Sequence, residues 1–193
     1  MFKDGALTVS WPECKFESDV VLVSGQIRLQ LGVSVVSGSS GVGKTTMLRA
    51  ISANNGHVRS ILVFQEPTLL PWMTLEENLY LVTEDRADVG SWLDRFDLQR
   101  FRGLRPGQMS LGMQRRAAIV RGMLKNPDLL LLDEPSASLD QENIQRLLDC
   151  IEGMKDVRDV AVLIVSHQVE HFTSLNPSRF TLDGRPALIQ THS

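Results

Sequence analysis

Short apolar runs alternate with helical patterns along most of the chain. Runs rich in aliphatic and β-branched residues predict strands at residues 7–10, 26–31, 33–37, 59–65, 129–133 and 160–166. Capping residues and apolar positions at helical spacing predict helices at residues 44–53, 75–82, 88–96, 110–124 and 144–154. The first two strands are interpreted as antiparallel, and residues 179–190 as a closing hairpin. This order of elements predicts an α/β fold with a mainly parallel sheet and crossover helices.

The composition is that of one soluble globular domain spanning residues 1–193. Apolar residues make up 42% and charged residues 22%, and the net charge of −3 argues against a nucleic-acid partner. The longest apolar stretches are too short to cross a bilayer, and the N-terminus has no apolar signal region, which predicts a cytosolic protein. Neither cysteine has metal-binding or disulfide spacing, and Cys150 is predicted to be a buried thiol.

A glycine-rich segment follows the predicted strand at residues 33–37. It has the spacing G-x-x-x-x-G-K-[ST] and consists of Gly38, Ser39, Ser40, Gly41, Val42, Gly43, Lys44 and Thr45. Glycines let backbone N–H groups approach an anion closely, and the helix that follows adds its positive N-terminal end. Lys44 is expected to bind the β- and γ-phosphates of a nucleotide, and Thr45 to offer its hydroxyl to Mg²⁺.

Two adjacent carboxylates, Asp133 and Glu134, end the apolar strand at residues 129–133. Alternation along a strand predicts that they point to opposite sides. One carboxylate can then serve Mg²⁺ while the other faces the attacking water, which are the two tasks that phosphoryl transfer requires.

Four further segments, taken with these two motifs, resemble the ABC ATPase family in their order along the chain. Gln65 resembles the glutamine that contacts Mg²⁺ and water and senses the membrane partner. Residues 109–116 resemble the family signature, and residues 135–140 resemble the loop that crosses the dimer interface. His167 stands where the family has its switch histidine.

The resemblance implies a P-loop NTPase with the ABC ATPase fold. Its parts would be a mainly parallel core sheet, a helical subdomain at about residues 72–122 and a shortened antiparallel β-subdomain. The β-subdomain is expected to be short because only 21 positions (65 − 44) separate Lys44 from Gln65.

The resemblance also implies ATP and Mg²⁺ as cofactors, with roles for particular side chains. The residues expected to act in hydrolysis are Glu134, His167 and Gln65. Those expected to hold Mg²⁺ are Thr45, Gln65 and Asp133. Those expected to bind the nucleotide are the glycine-rich segment with Thr46, Phe16 against adenine, and Ser110, Gly112 and Asp140 against the nucleotide of a second copy.

Two details of this assignment stay open at the level of sequence. Trp11 is an alternative to Phe16 as the side chain that stacks on adenine, and either aromatic could instead belong to the core. Leu111 replaces the first glycine of the signature, which is expected to weaken hydrolysis without abolishing it.

Residues 64–78 resemble the importer ATPases of the nitrate, sulfonate and taurine group. The resemblance implies an ATP-hydrolysing subunit at the cytoplasmic face of the bacterial inner membrane that powers transport through a separate permease. It would pair with a second copy of itself or a related ATPase, and act indirectly with a substrate-binding protein. The alternatives are an exporter motor, a non-hydrolysing regulatory ATP binder and a soluble ATPase of nucleic-acid repair or translation. Residues 69–73 are expected to offer the permease an apolar surface or to fold into the helical subdomain.

Overall fold

A computed structural model describes residues 5–154, 157 and 159–191. The strands are β1 Ala6–Trp11, β2 Cys14–Phe16, β3 Asp19–Leu22, β4 Gly25–Gln30, β5 Gly32–Ser37, β6 Ser60–Val63, β7 Leu129–Asp133, β8 Ala161–Val165, β9 Ser178–Asp183 and β10 Leu188–Thr191. The α-helices are α1 Lys44–Asn54, α2 Leu75–Tyr80, α3 Arg86–Arg95, α4 Leu111–Met123 and α5 Gln141–Gly153. Short 3-10 helices cover Gln99–Phe101, Pro106–Gln108 and Val169–Leu175.

A six-stranded sheet with the order β10-β9-β5-β8-β7-β6 forms the centre of the fold. All neighbouring pairs are parallel except β9 and β10, which form the predicted closing hairpin. Strands β7 and β8 are buried along their whole length because α-helices and the β1–β4 pair cover the sheet, as their unbroken apolar runs predict. The mainly parallel α/β sheet is therefore confirmed.

Antiparallel strands precede the glycine-rich segment. Strands β1 and β4 pair from Ala6 with Gln30 to Trp11 with Gly25, which confirms the antiparallel interpretation of the first two apolar runs. The small hairpin of β2 and β3 was not predicted, because its residues are short of apolar alternation and turn through Glu17 at a φ of 55°. Only residues 55–59 lie between α1 and β6, and they contain no strand, as the short spacing predicts.

Helices α2, α3 and α4 pack against one another beside the sheet. The predicted capping box at the start of α2 is present, with the Glu77 N–H donating to Thr74 Oγ1 and the Thr74 N–H donating to Glu77 Oε2. The buried rings of Trp92 and Phe96 meet edge to face at 5.8 Å and anchor α3 in the core. Within the described ranges, no helix combines the length and the apolar character that a membrane span needs.

Candidate nucleotide-binding site

The glycine-rich segment connects β5 to α1 in a compact turn. Gly43 caps α1 with a φ of 109°, a left-handed conformation that glycine adopts without a Cβ clash. A Cβ at Gly38 would lie 2.6 Å from the backbone oxygen of Leu182, so the first glycine is needed for packing against β9. Lys44 is folded back over the turn, where its Nζ donates to the backbone oxygens of Gly38 at 2.8 Å and Ser39 at 3.1 Å. The segment is thus a preformed loop with its lysine held in place.

The end of β7 meets this loop through two direct contacts. Thr45 Oγ1 donates a hydrogen bond to Asp133 Oδ2 at 2.9 Å. Glu134 Oε1 lies 3.5 Å from Lys44 Nζ, and both side chains are largely buried. Burial raises the pKa of Asp133, while the hydrogen bond from Thr45 opposes that rise. The predicted loop and the predicted carboxylates therefore form one site.

The prediction that Asp133 and Glu134 point to opposite sides is wrong. Both carboxylates reach the glycine-rich segment, Asp133 at Thr45 and Glu134 at Lys44. The reason is that Glu134 has left the extended conformation, with a φ of 45°, so strand alternation no longer applies to it.

Three donors hold the other carboxylate oxygen of Glu134. Oε2 accepts hydrogen bonds from Ser166 Oγ at 3.1 Å and from the His167 backbone N–H at 3.3 Å. His167 Nδ1 lies 2.9 Å from the same oxygen, so an ionised Glu134 requires the proton on Nδ1. Ser166 is fully buried and was not predicted as a site residue. It reaches Glu134 only because β7 and β8 are neighbours in the sheet.

The signature residues form a second group around the start of α4. Ser110 is the N-cap, and its Oγ accepts a hydrogen bond from the Met113 N–H at 3.2 Å. Gly112 packs against Asn143 so closely that a Cβ would lie 2.5 Å from its Oδ1. Asp140, the N-cap of α5, accepts hydrogen bonds from the backbone and side chain of the same Asn143. Within the described ranges, no hydrogen bond or ion pair joins this group to the glycine-rich segment.

The two aromatic candidates for an adenine contact differ sharply in exposure. Trp11 is 2% exposed and its Nε1 donates to the Val23 backbone oxygen at 2.9 Å, so it belongs to the core. Phe16 is 71% exposed. It lines a cavity of about 770 Å³ together with Gly41, Gly43 and Thr46. The geometry favours Phe16.

The tip of the closing hairpin, residues 184–186, lines the same cavity and was not predicted. Backbone hydrogen bonds between Ala187 and residues Val21 and Val23, each 3.0 Å long, hold the hairpin beside β3. Arg185 therefore lines the same cavity as the glycine-rich segment. The local sequence gives no signal for this contact, because it depends on the pairing of distant strands.

The remaining expected positions differ in their exposure to solvent. Gln65 is exposed just after β6, and Leu111 is exposed at the start of α4. Trp72 is 66% exposed whereas Leu69 is buried, so residues 69–73 divide between surface and core. Cys150 is buried as predicted, and burial raises the pKa of its thiol to about 12.

A phosphate-binding loop between a parallel strand and a helix, with carboxylates at the end of another parallel strand of the same sheet, defines a P-loop nucleotide-binding protein. The family model described as ABC transporter matches residues 27–137. Aliphatic sulfonates import ATP-binding protein SsuB 1 of Pseudomonas savastanoi pv. phaseolicola is 33% identical over 187 residues, covering 90% of this chain and 79% of its own. SsuB of Granulibacter bethesdensis is 36% identical over 168 residues, covering 81% of this chain and 71% of its own length.

The chain therefore belongs to the ABC transporter family, which confirms the resemblance stated from its motifs. A solved structure, the dimeric post-hydrolysis state of the ATP-binding cassette MJ0796 bound to ADP and Pi, superposes with a TM-score of 0.75. It covers 96% of this chain and 98% of its own, at 21% identity, and confirms the ABC ATPase fold.

Proposed function

We propose that this chain binds ATP with Mg²⁺, hydrolyses the ATP, and so powers the movement of a solute through a separate membrane permease. The observation that carries the proposal is the convergence of Lys44, Thr45, Asp133, Glu134 and His167 on one site in a member of the ABC transporter family. Each of these side chains has a task in phosphoryl transfer that its position supports.

The glycine-rich segment would hold the triphosphate. Its turn and the start of α1 present backbone N–H groups to an anion, and Lys44 adds a positive charge at the same place. Lys44 is bonded to two backbone oxygens, so little of its conformational freedom remains to be lost when phosphate binds.

The donor set beside Lys44 fits Mg²⁺. Thr45 Oγ1 and Asp133 Oδ2 are hard oxygen donors only 2.9 Å apart, and Mg²⁺ prefers a few protein oxygens completed by phosphate and water. Within the described ranges, no cluster of three or more His, Cys, Asp or Glu side chains offers a complete protein cage, which agrees with that mode of binding. Gln65 would complete the set as the nucleotide binds. When bound, Mg²⁺ would neutralise charge on the β- and γ-phosphates.

Glu134 would orient and activate the attacking water. Ser166 and His167 fix one of its oxygens, which leaves the other directed at Lys44 and the phosphate position. His167 is half exposed beside the carboxylate and would donate a hydrogen bond to the γ-phosphate. The arrangement thus supplies a held base and a neighbouring donor at the bond that breaks.

A second copy of the chain, or a related ATPase, would complete the site. Ser110, Gly112 and Asp140 lie at the starts of α4 and α5 and, among the described residues, have no hydrogen bond to the chain's own glycine-rich segment. Ser110 and the start of the 13-residue helix α4 offer an exposed, positively polarised end to an anion. Two chains facing head to tail would bring each such end to the other chain's nucleotide.

The names of these relatives suggest import of an aliphatic sulfonate as the first transport reaction to test. The chain would then lie at the cytoplasmic face of the bacterial inner membrane, bound to permease subunits and acting indirectly with a substrate-binding protein. The exposed rings of Phe64, which precedes Gln65, and of Trp72 supply apolar surface for that contact.

A pull-down from detergent-solubilised membranes tests the transport proposal. Tagged Glu134→Gln protein with ATP is expected to retain a multi-span permease, identified by mass spectrometry. The Lys44→Ala variant, which should bind ATP poorly, is the matched control and should retain less. Recovery of soluble partners alone would contradict the transport function.

A regulatory ATP binder is the second candidate, favoured by the exposed Leu111 in the signature. Phosphate release by the purified chain separates the two: turnover above that of Glu134→Gln supports hydrolysis, and turnover equal to it supports the regulatory function.

A further inference from the structure

Arg115 lies near the start of α4, five residues after Ser110, and is only 6% exposed. A guanidinium this deeply buried needs partners, because moving its charge out of water is costly. Desolvation lowers the pKa of Arg115, and attraction to the Glu134 carboxylate opposes that effect. The charge therefore lies within electrostatic reach of the proposed catalytic base.

The partners of Arg115 are the backbone carbonyls beside that base. Arg115 Nη1 donates to the Pro135 oxygen at 3.0 Å and lies 3.5 Å from the Glu134 oxygen. These two oxygens belong to successive peptide groups of the turn that follows β7. One nitrogen of the guanidinium thus bridges both peptide groups of this turn.

The turn needs such support because of its backbone conformation. Glu134 has a φ of 45°, in the left-handed region where the Cβ of a residue other than glycine is crowded by the backbone. Return of Glu134 to an extended conformation would restore strand alternation and turn the carboxylate away from Lys44. Arg115 donates to the carbonyls only while the turn keeps its present geometry.

We propose that Arg115 is a positioning residue for hydrolysis, which holds the left-handed turn at Glu134 so that its carboxylate faces Lys44 and the phosphate. This inference rests on the proposed ATPase function and adds a residue outside the groups proposed to bind the nucleotide and Mg²⁺. Arg115 also joins the helix that begins at Ser110 to the chain's own catalytic turn.

Kinetics of Arg115→Met and Arg115→Lys test the proposal. Methionine removes the charge and the donors, and we expect kcat to fall roughly 10- to 100-fold, the effect of a small misplacement of a catalytic group. The dissociation constant for ATP should change less than about threefold, because Arg115 does not contact the glycine-rich segment. Lysine keeps a charged donor and should restore part of kcat.

Arg121→Met is the matched control on the same helix. Arg121 is partly buried and its Nη2 donates to Thr68 Oγ1 at 2.7 Å, away from Glu134. Its loss removes one arginine from α4 and should leave kcat unchanged. A drop equal to that of Arg115→Met would show that any arginine of this helix is needed and would overturn the proposal.

The Glu134→Gln background separates positioning from general structural support. If Arg115 acts through the carboxylate, Arg115→Met should not lower the residual single-turnover rate of Glu134→Gln further. An equal fractional loss in both backgrounds would overturn the proposal, as would a wild-type kcat in Arg115→Met. If Arg115→Met fails to fold, Arg115→Lys carries the same comparison. Full turnover in Glu134→Gln alone would instead refute the role of Glu134 in the proposed function.

Discussion

Replacement of Glu134 by glutamine should separate ATP binding from hydrolysis. Glutamine has nearly the same shape, and its carbonyl oxygen can accept the hydrogen bonds that Ser166 and His167 now donate to Oε2. What disappears is the negative charge 3.5 Å from Lys44 Nζ and the capacity to take a proton. The turn should keep its geometry while the chemistry is lost.

These contacts set the expected size of the change in kcat and of the change in ATP affinity. Loss of a positioned base should reduce kcat by about 10²- to 10⁴-fold, or about 3–5 kcal/mol of transition-state stabilisation. Glu134 also competes with phosphate for Lys44, and unit charges at about this distance interact by up to about 4 kcal/mol at an effective dielectric of 20. Lys44 keeps its bonds to Gly38 and Ser39, so only part of that energy should appear. We expect ATP to bind about 5- to 10-fold more tightly, about 1 kcal/mol.

Isothermal titration with Mg·ATP measures the affinity, and steady-state phosphate release measures kcat. Glu170→Gln is the control, because Glu170 is an exposed carboxylate on the 3-10 helix that follows His167. It should leave both quantities unchanged. Weaker ATP binding in Glu134→Gln would refute the competition for Lys44, and an unchanged kcat would refute the role of Glu134 in hydrolysis.

Three further outcomes follow from particular contacts. Lys44→Ala removes a charged donor held at the loop and should weaken ATP binding at least about tenfold by titration; unchanged affinity would contradict the loop assignment. Gly112→Ala places a Cβ 2.5 Å from Asn143 Oδ1, so ATPase assays should show lower turnover while monomer ATP affinity stays within about twofold. Burial raises the pKa of Cys150 to about 12, so this thiol stays neutral and unreactive at pH 8. Mass spectrometry after treatment with iodoacetamide should therefore find only Cys14 alkylated in the native chain, and both cysteines alkylated in urea.

The central sheet could be predicted because its strands carry their own signal. Strands β7 and β8 are covered on both faces, and burial on both faces requires an unbroken apolar run. The hairpin of β2 and β3 has no such signal, since Phe16 is mostly exposed and the strands pair around a turn at Glu17. Its position depends on the distant contact between Leu22 and Ala187, which no local pattern encodes.

The parts of the candidate site that consist of consecutive residues could be predicted from the sequence. The parts that depend on contacts between distant segments could not. The glycine-rich segment and the pair Asp133 and Glu134 are read directly from spacing, because phosphate and metal need those groups on consecutive residues. The conformation of Glu134 could not be predicted, because hydrogen bonds from Ser166 and Arg115 stabilise it and both come from other elements. Buried polar side chains beside a motif are found only once the fold pairs their elements.

Helix α4 connects the two groups of site residues within one chain. Its first turn carries Ser110 and Gly112, proposed to face the nucleotide of a second copy, and its second turn carries Arg115, which donates to the carbonyls beside Glu134. Because an α-helix rises about 1.5 Å per residue, these two functions lie within about 8 Å along one rigid element. A phosphate that docks at Ser110 would therefore contact the same helix that holds the turn of Glu134, the proposed catalytic carboxylate of that chain. The exposed Leu111 lies at this point, so its cost to turnover should depend on the contact between the two copies rather than on ATP binding by one.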